Sequence, residues 1–107
     1  MALVQKAINL IVESMREPVN IDFLAKTIGT NSHRLQQCFK LVYGTTVNGY
    51  IKKARIEKAS HLLTTSNLPV TEIISEVGLI NRGYFSKIFK ELYGLTPKAF
   101  RLRYERM

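Results

Sequence analysis

An all-α chain built from one helical unit used twice is predicted by three observations. The first is a repeat. Ile28-Gly29-Thr30-Asn31, Leu35, Phe39-Lys40, Tyr43-Gly44 and Thr46 return as Val77-Gly78-Leu79-Ile80-Asn81, Phe85, Phe89-Lys90, Tyr93-Gly94 and Thr96. From Asn31 and Asn81 onward the copies keep a constant offset of 50 residues, and the second turn carries one extra residue. The second observation is apolar spacing of three and four, with no alternating strand pattern. The third is punctuation: in each copy a short apolar segment stops at a Gly, and an Asn then opens a longer one. Gly supplies the left-handed residue that ends a helix, and Asn accepts from the free amides that begin the next. A single copy fits an ordinary αα-hairpin as well as a helix-turn-helix. The duplication and the outer faces favour the helix-turn-helix.

In chain order, residues 2–16 form an amphipathic helix with Leu3, Ala7, Ile8, Ile11, Val12 and Met15 on one stripe, ended by Pro18. Asn20 caps a short helix over 21–28 whose inward residues are Ile21, Leu24, Ala25 and Ile28. From Asn31 to Tyr43 runs the first candidate recognition helix. At about 100° per residue, Leu35, Cys38, Phe39 and Val42 fall inward, while His33, Gln36, Gln37 and Lys40 fall outward. Thr46 caps a long helix over 47–63 that carries Lys52, Lys53, Arg55 and Lys58. Its apolar residues Val47, Tyr50, Ile51, Ala54, Ala59, Leu62 and Leu63 spread over more than one face, as suits a connector. Thr64-Thr65-Ser66-Asn67 marks a boundary.

Pro69 opens a short helix with Val70, Ile73, Ile74 and Val77 inward. Asn81 caps the second recognition helix, 82–93. Phe85, Ile88, Phe89 and Leu92 form its core side. Gly83, Ser86, Lys87 and Lys90 lie outward, with Arg82 at the N-terminal edge. Thr96-Pro97 starts a last helix, 97 to about 105, with Phe100 and Tyr104 inward and Lys98, Arg101, Arg103 and Arg106 solvated or on phosphate. The expected organisation is therefore about seven helices. Two helix-turn-helix subdomains, 1–46 and 66–107, are joined by a linker helix over 47–65.

The 107 residues carry 16 Lys and Arg against 8 Asp and Glu, a net charge of +8. The excess is even: residues 1–53 hold 7 basic and 3 acidic side chains, and residues 54–107 hold 9 and 5. A basic surface spread over a folded body suits a polyanion such as nucleic acid. One Cys excludes an internal disulfide and fits a reducing compartment. No apolar run approaches a membrane span of about 20 residues. Cys38 falls on the apolar side of its helix, and His33 and His61 have no second ligand at metal spacing. No catalytic residue, metal site or cofactor is therefore expected.

The pattern Leu24-Ala25, Gly29, Leu35, Phe39-Lys40, Gly44, Tyr50-Ile51, Arg55, Ala59 and Leu62-Leu63 resembles the first half of an AraC/XylS-type DNA-binding domain. Ile73, Val77-Gly78, Tyr84-Phe85-Ser86, Phe89-Lys90, Gly94-Leu95-Thr96-Pro97 and Phe100-Arg101 resemble its more specific second half. Asn31 and Asn81 stand where that family often has Ser, Ile74 where Ala is usual, and Leu79 where Phe is usual. The resemblance covers about residues 3–103. It implies a bacterial, cytoplasmic transcription regulator whose partners are promoter or operator DNA and RNA polymerase. The family commonly adds an effector, dimerisation or receiver domain. The chain is thus expected to be a short stand-alone member or the C-terminal part of a longer regulator, and a monomer as it stands.

Each recognition helix is expected to enter a major groove of double-stranded DNA, in two successive grooves, so that the chain binds in a sequence-specific way. The base-reading candidates are His33, Gln36 and Gln37 in the first unit, and Arg82 and Lys87 with Ser86 in the second. Gln suits adenine, Arg and Lys suit guanine, and Gly83 permits close approach. Ser32, Lys40, Lys52, Lys53, Arg55 and Lys90 are the phosphate candidates, although Arg55 equally suits a bridge to an acid inside the protein. The competing reading is a basic helical module that docks an acidic protein.

Overall fold

The computed structural model describes residues 2–17 and 19–104. It contains seven helices: α1 (Ala2–Glu13), α2 (Ile21–Ile28), α3 (Ser32–Tyr43), α4 (Val47–Thr65), α5 (Val70–Glu76), α6 (Arg82–Tyr93) and α7 (Pro97–Tyr104). Among the described residues there is no strand. Pro18, expected to stop the first helix, lies outside the described residues, as do residue 105 and Arg106. The α-helical part of α1 ends at Glu13, three residues earlier than its apolar stripe implied, and continues as turns.

The cap chemistry sets the other boundaries. Asn20 Oδ1 accepts from the Phe23 amide at 2.9 Å, Asn31 Oδ1 from Arg34 at 2.8 Å and Asn81 Oδ1 from Tyr84 at 2.9 Å. Thr46 and Thr96 do the same for Gly49 at 3.0 Å and Ala99 at 3.2 Å. Each such bond satisfies an amide that has no partner within its own helix. Gly44 and Gly94 close the recognition helices with φ of 69° and 74°, a left-handed conformation that costs any residue with a Cβ. Pro69 sits at the cap position of α5, just outside the helix, with no side-chain cap.

The chain divides into two compact units, Met1–Lys53 and Ala54–Met107, and the division falls inside α4. In the first unit α1, α2 and α3 pack against one another. Its buried residues are Val4, Ala7, Ile11, Met15, Leu24, Ala25, Leu35, Phe39, Val47 and Ile51. The second unit buries Ile56, Ala59, Leu63, Ile73, Ile74, Val77, Phe85, Ile88 and Phe89 as one cluster. A fully buried Phe or Ile contributes about 1.5–3 kcal/mol, so Phe39, Phe85 and Phe89 anchor the recognition helices. The repeat extends to the rings. Phe39 meets Tyr50 edge-on at 5.5 Å, and Phe89 meets Phe100 in the same way at 5.2 Å.

Several inward assignments need correction. Val12 is 60% exposed, Val42 47% and Leu92 46%. Val42 and Leu92 are the same position in the two copies, in the last turn, beyond Phe39 and Phe89. A helical wheel gives the side of a helix but not how far along it the neighbours extend. Val4 and Ile56, which the wheel left out, are buried. Tyr104 is half exposed, although its ring lies 4.8 Å from that of Phe100. Arg101 is not solvated. Its Nε donates to the Leu63 carbonyl at 3.0 Å and its Nη2 to the Ser66 carbonyl at 3.3 Å. A cation there satisfies carbonyls at the C-terminal end of α4 and complements the helix dipole.

Candidate nucleic-acid interface

Each recognition helix presents its outer face from an equivalent local scaffold. Each starts after an Asn cap, buries an aromatic-containing pair (Leu35 and Phe39, Phe85 and Phe89), and stops at a left-handed Gly. That framework fixes which residues stay outside. On α3, His33, Arg34, Gln37 and Lys40 are exposed; on α6, Arg82, Gly83, Tyr84, Lys87 and Lys90 are exposed. The face of α3 carries no acid, and the first turn of neither helix does. Positive charge and uncommitted hydrogen-bonding groups near a helix N-terminus suit both phosphates and base edges.

Two expected contacts are already engaged within the protein. Gln36 is half-buried, not outward, and its Oε1 accepts from the Val47 amide at 2.9 Å. The first amide of α4 has no helical partner of its own, and it turns toward this side chain. Ser32 is half-buried, and its hydroxyl donates to Asp22 on α2. The hydroxyl proton expected to meet phosphate is thus spent on a carboxylate. Ser86, the counterpart of Gln36, is also half-buried.

Lys52 and Lys53 are exposed on α4, whereas Arg55 is half-buried, and burial pushes its guanidinium below the ordinary value. Arg34 and Tyr84, one position in the two copies, were not among the candidates. They follow His33 and Gly83 directly and lie three residues before Gln37 and Lys87, and that spacing placed them beside the outward set.

Gly83 has a local constraint as well as an outward position. A Cβ there would lie 3.2 Å from the capping Asn81 Oδ1. The equivalent His33 carries a full side chain beside Asn31, so the unit does not demand glycine here. Cys38 is half-buried. Among the described residues no group of three or more His, Cys, Asp and Glu could hold a metal ion, and no helix is long and apolar enough to cross a membrane.

Residues 24–103 match a helix-turn-helix domain family. The chain is 32% identical over 101 residues to the regulatory protein SoxS of Escherichia coli, a match covering 94% of each. The chain belongs to the AraC-type family of helix-turn-helix transcription regulators. Solved structures of this AraC-type fold superpose closely. A transcriptional regulator with an AraC-type DNA-binding domain from Chromobacterium violaceum gives a TM-score of 0.90 at 24% identity, covering 95% of this chain and 91% of that one. The DNA-binding domain of AdpA, a global transcriptional factor solved in complex with a target DNA, gives 0.88 at 21% identity, covering 94% and 91%.

Proposed function

We propose that this AraC-type domain binds double-stranded DNA in a sequence-specific way and so controls transcription. The observation that carries the reading is the doubled unit: two Asn-capped helices, each buried within its own unit at equivalent positions and each offering an exposed basic and polar face. In this reading α3 and α6 enter successive major grooves, about 34 Å apart along the duplex. His33 and Gln37 read bases in one groove. Arg82 and Lys87 read the other, Ser86 assists, and Gly83 lets the backbone approach. Lys40, Lys90, Lys52 and Lys53 contact phosphate, which sets register and salt dependence but carries no sequence information directly. Arg55, being half-buried, contributes field more than contact. The domain acts as a monomer in the bacterial cytoplasm, with RNA polymerase as the second partner, and performs no catalysis.

Selection of binders from a random duplex pool near physiological salt tests this. The expected product is two recurring boxes about one helical turn apart. His33→Ala should erase preference in one box and Arg82→Ala in the other, each by about 1–3 kcal/mol. Recovery of no motif, with binding that only fades as salt rises, overturns the proposal and favours a basic module that docks an acidic protein.

A further inference from the structure

We infer that Ile80, in the turn before α6, meets the 5-methyl group of a thymine in the major groove and so sets a base preference from outside the recognition helix. The inference deepens the DNA-binding reading above and rests on it. It starts from the place where the two copies differ in length. The Thr30 amide donates to the Ala25 carbonyl at 2.9 Å, and the Leu79 amide to the Ile74 carbonyl at 3.0 Å. Thr30 and Leu79 therefore hold the same position after the Gly that stops the preceding helix. Thr30 is followed directly by the capping Asn31, whereas Leu79 is followed by Ile80 and only then by the capping Asn81. Ile80 is the added residue. It is 98% exposed, and no other large apolar side chain among the described residues is as exposed.

Its surroundings decide what it can meet. Leu79 before it is half-buried and packs against the core of the unit. Asn81, Arg82 and Gly83 after it are exposed. Ile80 is thus an isolated apolar group on a polar and basic helix start. A face that docks protein is commonly a contiguous apolar patch on the order of a few hundred Å² or more. The major groove offers the opposite: donors and acceptors with one apolar group among them, the thymine methyl. The Cα atoms of Ile80 and Arg82 stand at most about 7 Å apart, so a groove edge that Arg82 reads lies within reach of Ile80. Ile80 therefore selects thymine.

The test runs the duplex selection on the whole chain, with Ile80→Ser and Ile80→Val beside the unsubstituted protein. A side chain this exposed in a turn has little packing to lose, so all three should share one melting temperature. In the box that Arg82→Ala relaxes, the parent and Ile80→Val should select thymine at a position that Ile80→Ser leaves open. On a selected duplex, replacing that thymine with uracil removes only the methyl group. Parent affinity should then fall about fourfold, as for the loss of one buried methylene-sized group, and the affinity of Ile80→Ser should not change. The inference is overturned if Ile80→Ser selects the same box as the parent, or if the uracil duplex weakens both proteins alike. Unchanged selection together with lost transcription from a promoter bearing the box would also overturn it, and would assign Ile80 to a protein partner. A parent chain that recovers no motif at all is a different failure: it removes the DNA-binding reading, and this inference with it.

Discussion

Gln36 Oε1 and the Val47 amide stand 2.9 Å apart, tying a recognition helix to the start of the helix that follows it. The bond holds α3 and α4 together at a point where no apolar contact would satisfy the amide. Replacing Gln36 with Leu should cost about 1 kcal/mol, the usual loss for an uncapped helix start. Ser86→Ala, at the equivalent position of the second unit, where Pro97 stands in place of Val47 and has no amide hydrogen, should change stability by less than about 0.5 kcal/mol. Urea titration followed by circular dichroism compares them. Equal losses would mean that the bond is not what Gln36 contributes to stability.

Arg101 reaches back 38 positions to the Leu63 carbonyl and 35 to that of Ser66. Arg101→Ala removes both bonds and a cation from the C-terminal end of α4, for an expected loss of about 1.5–3 kcal/mol. Arg101→Lys should recover part of this, since a compact ammonium meets one carbonyl more readily than two. The midpoint of thermal unfolding is the readout.

Lys52 and Lys53 lie exposed on α4. If both meet phosphate, replacing the pair with Ala should lower the slope of log affinity against log salt by up to about 2, since each neutralised phosphate contributes about 0.9. The preferred sequence should not change. A shift in base preference would show that one of them reads a base edge instead.

Gly83 is the one glycine on the outer face of α6. Gly83→Ala should raise helix stability by up to about 1 kcal/mol, less the small adjustment needed where the new Cβ meets Asn81 Oδ1 at 3.2 Å. DNA affinity should fall at the same time, because the methyl group occupies the space through which the backbone approaches the duplex. Fluorescence anisotropy on a selected duplex measures the second effect. Unchanged affinity with raised stability would remove Gly83 from the interface.

The helices were legible because their boundaries are local chemistry. Asn31, Gly44, Asn81 and Gly94 announce starts and stops within a few residues of themselves, and the 50-residue offset shows the second unit to be a copy of the first. The anchoring side chains Leu35, Phe39, Phe85 and Phe89 followed from spacing alone. What escaped depends on parts of the chain that a wheel does not contain. Gln36 looked outward because its partner is an amide in the next helix. Arg101 looked solvated because its acceptors belong to α4. Ser32 looked available because Asp22 lies one helix back. Arg34 and Tyr84 were overlooked for the opposite reason: exposure, which the pattern implied but did not rank.

The helix α4 is needed by both units. Val47 and Ile51 complete one buried set, and Ile56, Ala59 and Leu63 complete the other. Neither core can close around a coil in this segment. The backbone about Ala54 lies between these two sets within one helix. A glycine there would weaken the helix by about 1 kcal/mol without touching either core. With the helix weakened there, unfolding of the chain is expected to separate into two transitions.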